Sequence, residues 1–377
     1  MSRLFARQRL IPTLAGLASL TLVLSACSSA TADDAAAGAS SPETSTPAVT
    51  APSSASASAA ASTAPEPADV SIALSWSPNT DYTGVYVAQQ LGYYDEAGIN
   101  LTILPYASTA PETLVAQGAA NFGFSYQAGV AYARASGADV VSVFAPDQKG
   151  TYAIGVRGDA EDIVSPKDLD GRIYAGFGTP DEGPLLKFVI QADGGKGEFE
   201  TVTLDSAAYE AVYAGRADFT IPVVTWEGVA AELAGKPLKT FALTDYGFPD
   251  QYSALIISST AFLEANPEVA RRFVEATAKG YAYAADNPKE AAQLVIDANP
   301  GVFTDPQLVF KSQELLASGG YLKDAQGSVG TQSPEIWDQY GSFLFDNGLL
   351  ADNEGNALTT EPDWTTYYTN DFLPSAS

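Results

Sequence analysis

Between about residues 70 and 259, short apolar runs alternate with stretches of helical spacing, and this alternation restricts the fold more than any other property of the chain. Runs at 71–76, 101–105, 122–126 and 140–145 have the length and the β-branched or aromatic content of strands. Between them, 84–91 and 111–117 carry helical spacing, with Pro111 suited to a first turn. A second series follows, with strands at 172–176, 201–204, 219–224 and 238–243 and helices at 180–192 and 207–214. Such alternation implies an α/β fold of mainly parallel sheets flanked by helices. Roughly 300 residues take part, more than one compact core usually holds, so two lobes are expected.

The runs 152–156 and 252–257 flank the second series and read as two hinge crossings, the chain leaving at about Gly158 and returning near Tyr246. This division gives 69–158 and 247–377 to the first lobe and 159–246 to the second. After Ser259 the pattern turns helical. Asn266-Pro267-Glu268 opens one helix through Ala284 and Asn287-Pro288-Lys289-Glu290 opens the next, each with Pro near its first turn. In the first, Phe273, Ala276, Gly280 and Tyr283 share a face, the pattern of a core-packing surface.

Ahead of the globular part, Arg3, Arg7 and Arg9 precede an apolar run at 10–24, and Leu24-Ser25-Ala26-Cys27 follows. A charged start, an apolar centre and small residues before a cut describe a secretory signal over 1–26. The run is shorter than the roughly 20 residues that span a bilayer, and Thr13, Ser19 and Thr21 interrupt it. The four-residue string resembles the lipobox of bacterial lipoproteins, which implies lipidation of Cys27 after cleavage and an anchor at the extracytoplasmic face of the cell membrane. Residues 28–68 are almost wholly Ala, Ser, Thr, Pro and a few acids. With so few large apolar side chains this tract is expected to be a disordered tether, its ends on the order of 35 Å apart.

Composition excludes whole classes of chemistry. The chain has no histidine and one cysteine, so no Ser-His-Asp or Cys-His nucleophile, no His-bearing zinc site and no disulfide framework can form. A net charge of -26 argues against nucleic acid and anionic lipid as partners. Neither a metal nor a cofactor is expected. A carboxylate-only enzyme, with Glu182 as its acid, is the remaining catalytic alternative.

Two α/β lobes, exported and tethered, make a clamp for a solute. The strand at 71–76 ends on Trp76, and ligands of open α/β sheets bind beyond the carboxyl ends of strands. A flat indole there can stack on a flat ring, with Asn79 offering both donor and acceptor. Tyr126 closes the strand 122–126. Glu182 opens a second-lobe helix, a place where acids also serve simply to stabilise the helix dipole. Trp226 and Glu227 follow the strand 219–224, with Trp226 as a second stacking wall, and Tyr246 follows 238–243.

The segment Trp76-Ser77-Pro78-Asn79-Thr80-Asp81-Tyr82-Thr83-Gly84, with Tyr86-Val87-Ala88 and Gly92-Tyr93-Tyr94 after it, resembles the opening of the thiamine-pyrimidine-precursor binding family. That family joins periplasmic-type solute-binding proteins to the fungal hydroxymethylpyrimidine synthase. The resemblance extends through 167–171, 178–182 and 245–250 to Tyr368-Thr369-Asn370-Asp371-Phe372-Leu373. It implies a type II periplasmic-binding-protein fold and a monomeric receptor that hands a small-molecule ligand to an ABC permease. It places a ligand-facing carboxylate near Glu182, and Trp76, Asn79, Tyr82, Tyr126, Trp226 and Tyr246 complete the expected ligand site.

Departures from the family separate the chain from its enzyme branch. That branch uses a lysine for pyridoxal phosphate, a sacrificial histidine and a cysteine-rich iron loop. Here the corresponding positions fall at about Ser125, about Gly129 and the cysteine-free 248–254. Tyr82 stands where many members have histidine. The ligand expected is a small aromatic heterocycle, a thiamine pyrimidine precursor, with sulfonate, nitrate and flavin binders sharing the same general build. Anion binding would call on Arg134, Arg157 or Arg172.

Overall fold

A computed structural model of the protein describes residues 65–375. The expected signal, Cys27 and the tether as far as residue 64 lie outside the described residues; Ala68, placed at the tether's end by composition, already opens the first strand. Ten strands follow in order: β1 Ala68–Ala73, β2 Ile99–Leu104, β3 Phe122–Ser125, β4 Val141–Phe144, β5 Ala153–Arg157, β6 Ile173–Gly176, β7 Glu200–Thr203, β8 Phe219–Thr220, β9 Leu238–Ala242 and β10 Leu255–Ser258. They form two five-stranded sheets, ordered β2-β1-β3-β10-β4 and β7-β6-β8-β5-β9.

In the first sheet β1 runs parallel to β2 and β3, whereas β10 is antiparallel to β3 and β4. In the second, β6 is parallel to β7 and β8, whereas β5 is antiparallel to β8 and β9. The antiparallel member of each sheet is thus the strand that a crossing delivers into it. The crossings occupy 145–152 and 247–254 and are tied to each other: Gly150 N–H donates to Asp250 Oδ1 at 2.8 Å and Thr151 N–H to Ser253 Oγ at 2.7 Å.

This corrects the lobe boundary. The run at 152–156 was expected to belong to the first lobe, with the chain leaving near Gly158, but β5 pairs with β8 and β9 in the second sheet. An apolar run announces a strand. Which sheet it joins is decided by partners distant in sequence.

Strands β3, β4 and β10 are buried along their whole length, as strands covered on both faces must be. The helix Thr83–Gln90, which carries part of the opening motif, packs on the long helix Pro267–Asp286. Their backbones approach so closely that a Cβ on Gly280 would lie 1.9 Å from the Gly84 carbonyl oxygen. On that long helix Phe273, Ala276 and Gly280 are buried as the periodicity predicts; Tyr283 is only half-buried, and Tyr281 takes the core position. The helix Pro334–Asp346 is anchored to the first lobe by Gln127 Nε2 donating to the Ile336 carbonyl at 3.0 Å. Its Phe343 meets Phe188 of the second lobe edge to face at 6.1 Å. Among the described residues no helix is long and apolar enough to cross a membrane.

Candidate functional site

A cleft of ≈ 340 Å³ lies between the lobes. Its first-lobe wall comes from the segment after β1, from Tyr106 after β2 and from the end of β3; its second-lobe wall comes from the segments after β6 and β8. These are carboxyl ends of parallel strands, where diverging connections leave a crevice. The crossings form the floor through Tyr152, Gln251 and Ser253.

Aromatic rings dominate the walls. Trp76 lies 5.3 Å from Tyr106, centroid to centroid, and meets Phe177 of the opposite lobe edge-on at 6.4 Å. Phe177 in turn leans on Tyr209 at 5.5 Å. Trp226 enters from a π-helical turn, Val224–Gly228, backed by Phe303 at 6.2 Å. Tyr82 is almost wholly buried against Phe124 at 4.4 Å, and its hydroxyl shares a hydrogen bond with Ser75 Oγ at 3.1 Å.

Of the seven ligand residues expected from sequence, the cleft gathers Trp76, Asn79, Tyr82, Tyr126, Glu182 and Trp226. Tyr246 is absent from its lining. It follows β9, the edge strand of the second sheet, so the carboxyl end that carries it is displaced from the cleft. Two further expectations change in detail. Asn79 caps the turn Thr80–Tyr82, its Oδ1 accepting the Asp81 N–H at 2.8 Å, which leaves the amide as its free donor. Glu182 folds back on its own loop and accepts the N–H groups of Phe177, Gly178 and Thr179 at 3.0, 3.1 and 3.4 Å, plus Thr179 Oγ1 at 3.3 Å. Gly178, at φ +93°, permits the loop to curl around that carboxylate. Glu182 therefore builds the wall, and its acceptor capacity is largely spent there.

Three more carboxylates share the cleft. Asp181 accepts from Tyr132 and Tyr340, both of the first lobe, at 3.1 and 2.9 Å, and so ties the lobes together. Glu227 accepts the Val223 N–H through Oε2 at 3.2 Å; burial, with Asp81 nearby, lifts its pKa to about 7. Among the described residues no hydrogen bond engages the Asp81 carboxyl, and burial lifts it to about 6. Behind them in the first crossing sits Asp147, fully buried, both oxygens without a hydrogen-bond partner among the described residues, its pKa raised well above the usual carboxylate range by desolvation and by the charge of Asp81. Among the described residues no Lys or Arg lines the cleft. Arg134 donates to the Val140 carbonyl, and Arg157 and Arg172 pair with Asp159 and Asp162.

Sequence reasoning missed Asp81, Tyr106, Tyr152, Phe177 and Tyr209 as cleft residues and left Glu227 without a role. Asp81 lies inside the opening motif and Phe177 directly follows β6, so the strand-end rule would have reached both. Tyr209 comes from the middle of a helix and carries no such signal.

A model of the family described as NMT1/THI5 like matches residues 79–291. The formylaminopyrimidine-binding protein of Halalkalibacterium halodurans is 30% identical over 275 residues, covering 71% of this chain and 82% of that protein. A 4-amino-5-hydroxymethyl-2-methylpyrimidine phosphate synthase of Legionella pneumophila is 28% identical over 234 residues, covering 61% and 73%. Among solved structures, the periplasmic aliphatic sulphonate binding protein of Escherichia coli superposes with a TM-score of 0.60 at 17% identity, covering 80% of this chain and 97% of that one. At that identity the likeness is one of fold, the two-lobed periplasmic-binding-protein fold.

Proposed function

Because the chain belongs to the NMT1/THI5-like family, we propose that it is the solute receptor of an ABC importer and closes its lobes on a small aromatic heterocycle, a thiamine pyrimidine precursor. The observation that carries this reading is the cleft itself: facing aromatic rings with no basic side chain among them. Flat rings bury well between such walls. A sulfonate or nitrate would enter a site lined by four carboxylates and no cation to meet it, which weighs against those ligands.

In this reading Cys27 carries lipid, the low-complexity tract that follows it tethers the lobes at the extracytoplasmic face, and a permease receives the ligand from a monomeric receptor. The protein binds rather than transforms. Glu182, the one acid considered for catalysis, is committed to its own loop's amides, and the lysine, histidine and cysteine-rich loop of the family's enzymes are missing.

Tryptophan fluorescence and calorimetric titration with aminopyrimidines test the proposal. Saturable binding is expected, weakened at least about tenfold by Trp76→Ala, through lost ring burial and stacking, and changed less than about twofold by Tyr246→Ala. A saturable response to a sulfonate or a flavin with none to any pyrimidine would overturn the ligand claim and leave the receptor claim standing.

A further inference from the structure

The four carboxylates of the cleft divide by what they touch. Asp181 and Glu182 are satisfied within the protein, one by two tyrosine hydroxyls and the other by three backbone amides and a hydroxyl. Among the described residues Asp81 has no hydrogen bond to its carboxyl, and Glu227 has a single weak one to Oε2. Both line the same half-closed, ring-walled space, from opposite lobes. An acid with few partners, partly withdrawn from water as these two are, is less favourable in its charged form until a cation or donor arrives to meet it. Nothing cationic in the lining does so.

Aromatic faces add to this. A positive charge within about 6 Å of an indole or phenol face is attracted to it, and Trp76, Tyr106 and Trp226 present their rings to the space that Asp81 and Glu227 border. Asp147, behind Asp81 and also without a partner, contributes no counter-charge of opposite sign.

We infer that the cleft selects a positively charged heterocycle: a flat nitrogen ring bearing an ammonium group or a cationic ring nitrogen, held between the aromatic walls with Asp81 and Glu227 as its charge partners. The inference rests on the reading of this cleft as the solute site and narrows the ligand to a charge class. It separates this receptor from one that would take a neutral pyrimidine or any anion.

Two matched pairs of probes test it with the full-length protein at pH 8 and low salt. One pair is 4-amino-5-aminomethyl-2-methylpyrimidine, an ammonium, against its neutral 5-hydroxymethyl counterpart; the other is 1-methylnicotinamide, a pyridinium with a permanent charge, against nicotinamide. The cation is expected to bind about tenfold or more tightly than its neutral partner in at least one pair. In Asp81→Asn and in Glu227→Gln that ratio should fall toward one. Neutral members binding as tightly as cations, or neither cation binding, would overturn the inference. Discrimination in the nicotinamide pair with no response to either pyrimidine supports the charge inference and removes the pyrimidine reading. Tight binding of the hydroxymethyl compound with no cation preference does the reverse.

Discussion

Asp181 and Glu182 stand side by side at the start of one second-lobe helix, while Asp81 and Glu227 border the same cleft from a turn in each lobe. All four are acids in one aromatic-walled space, yet their surroundings give them different work. The adjacent pair spends its acceptors inside the protein, on a loop and on the opposite lobe. The separated pair keeps its acceptors largely free and carries raised pKa values. Residue type therefore says little about a role in this cleft; the donors that reach each carboxylate decide it.

The largest effect expected from that contrast is structural. Glu182→Ala removes the acceptor of three backbone N–H groups and leaves them in a half-closed space, at a cost of about 3 kcal/mol. Urea unfolding should show a lower midpoint with an unchanged slope. Glu182→Gln should recover part of the loss, since its amide oxygen still accepts. A variant as stable as the parent would place Glu182 with the free pair and restore it as a ligand contact.

The second effect has the opposite sign and depends on pH. Burial lifts Asp81 from 3.8 to about 6 and Glu227 from 4.5 to about 7, so between those limits the folded chain holds protons that the unfolded chain has released. Stability from these groups is present below about pH 4 and is lost as pH rises through 6 to 7. The groups facing them, Asp147, Tyr82, Tyr152 and Tyr281 around Asp81, and Tyr152, Tyr209, Tyr213 and Asp81 around Glu227, include no base. Asp81→Asn and Glu227→Gln should each raise the melting temperature of ligand-free protein at pH 8. Discounted for residual solvent exposure, the gain is roughly 1–2 kcal/mol, and it should vanish at pH 4. Destabilisation at pH 8 would show that the two carboxylates are structural after all.

Much of this architecture could be read from the chain. Proline at the first turn marks the helices Pro111–Ala116, Pro267–Asp286 and Pro288–Ala298 where the sequence put them, because Pro loses nothing where no intrahelical bond is due. The first-lobe strands fall within a few residues of their expected positions. What escaped was pairing at a distance: β5 joins the second sheet through partners more than sixty residues away in sequence, and no local pattern encodes that choice. The site divides the same way. Trp76, Asn79 and Trp226 follow strands and were legible from the strand-end rule, whereas Tyr209 reaches the cleft from a helix face and Tyr152 from a crossing. Glu182 was found by position, but its function was not, since the amides it holds become neighbours only when Gly178 turns the loop.

The smallest effect concerns Asp181, the one partnered acid whose partners lie across the cleft. Tyr340 is fully buried on a helix fixed to the first lobe, and its hydroxyl donates to Asp181 Oδ2 at 2.9 Å. Tyr132 reaches the other oxygen at 3.1 Å. Opening the lobes would exchange both donors for water, and the net preference of the carboxylate for the protein donors favours the closed form. Tyr340→Phe removes one of them, worth about 1 kcal/mol, and leaves the ring packing in place. An equilibrium between two lobe arrangements shifts by that amount, and a ligand that binds the closed one loses up to about fivefold in affinity. Small-angle scattering should then show a larger radius of gyration for the ligand-free variant, returning to the parental value at saturating ligand. If thermal stability falls while the radius and affinity stay fixed, Asp181 is a strut like Glu182, and the adjacent pair has one role rather than two.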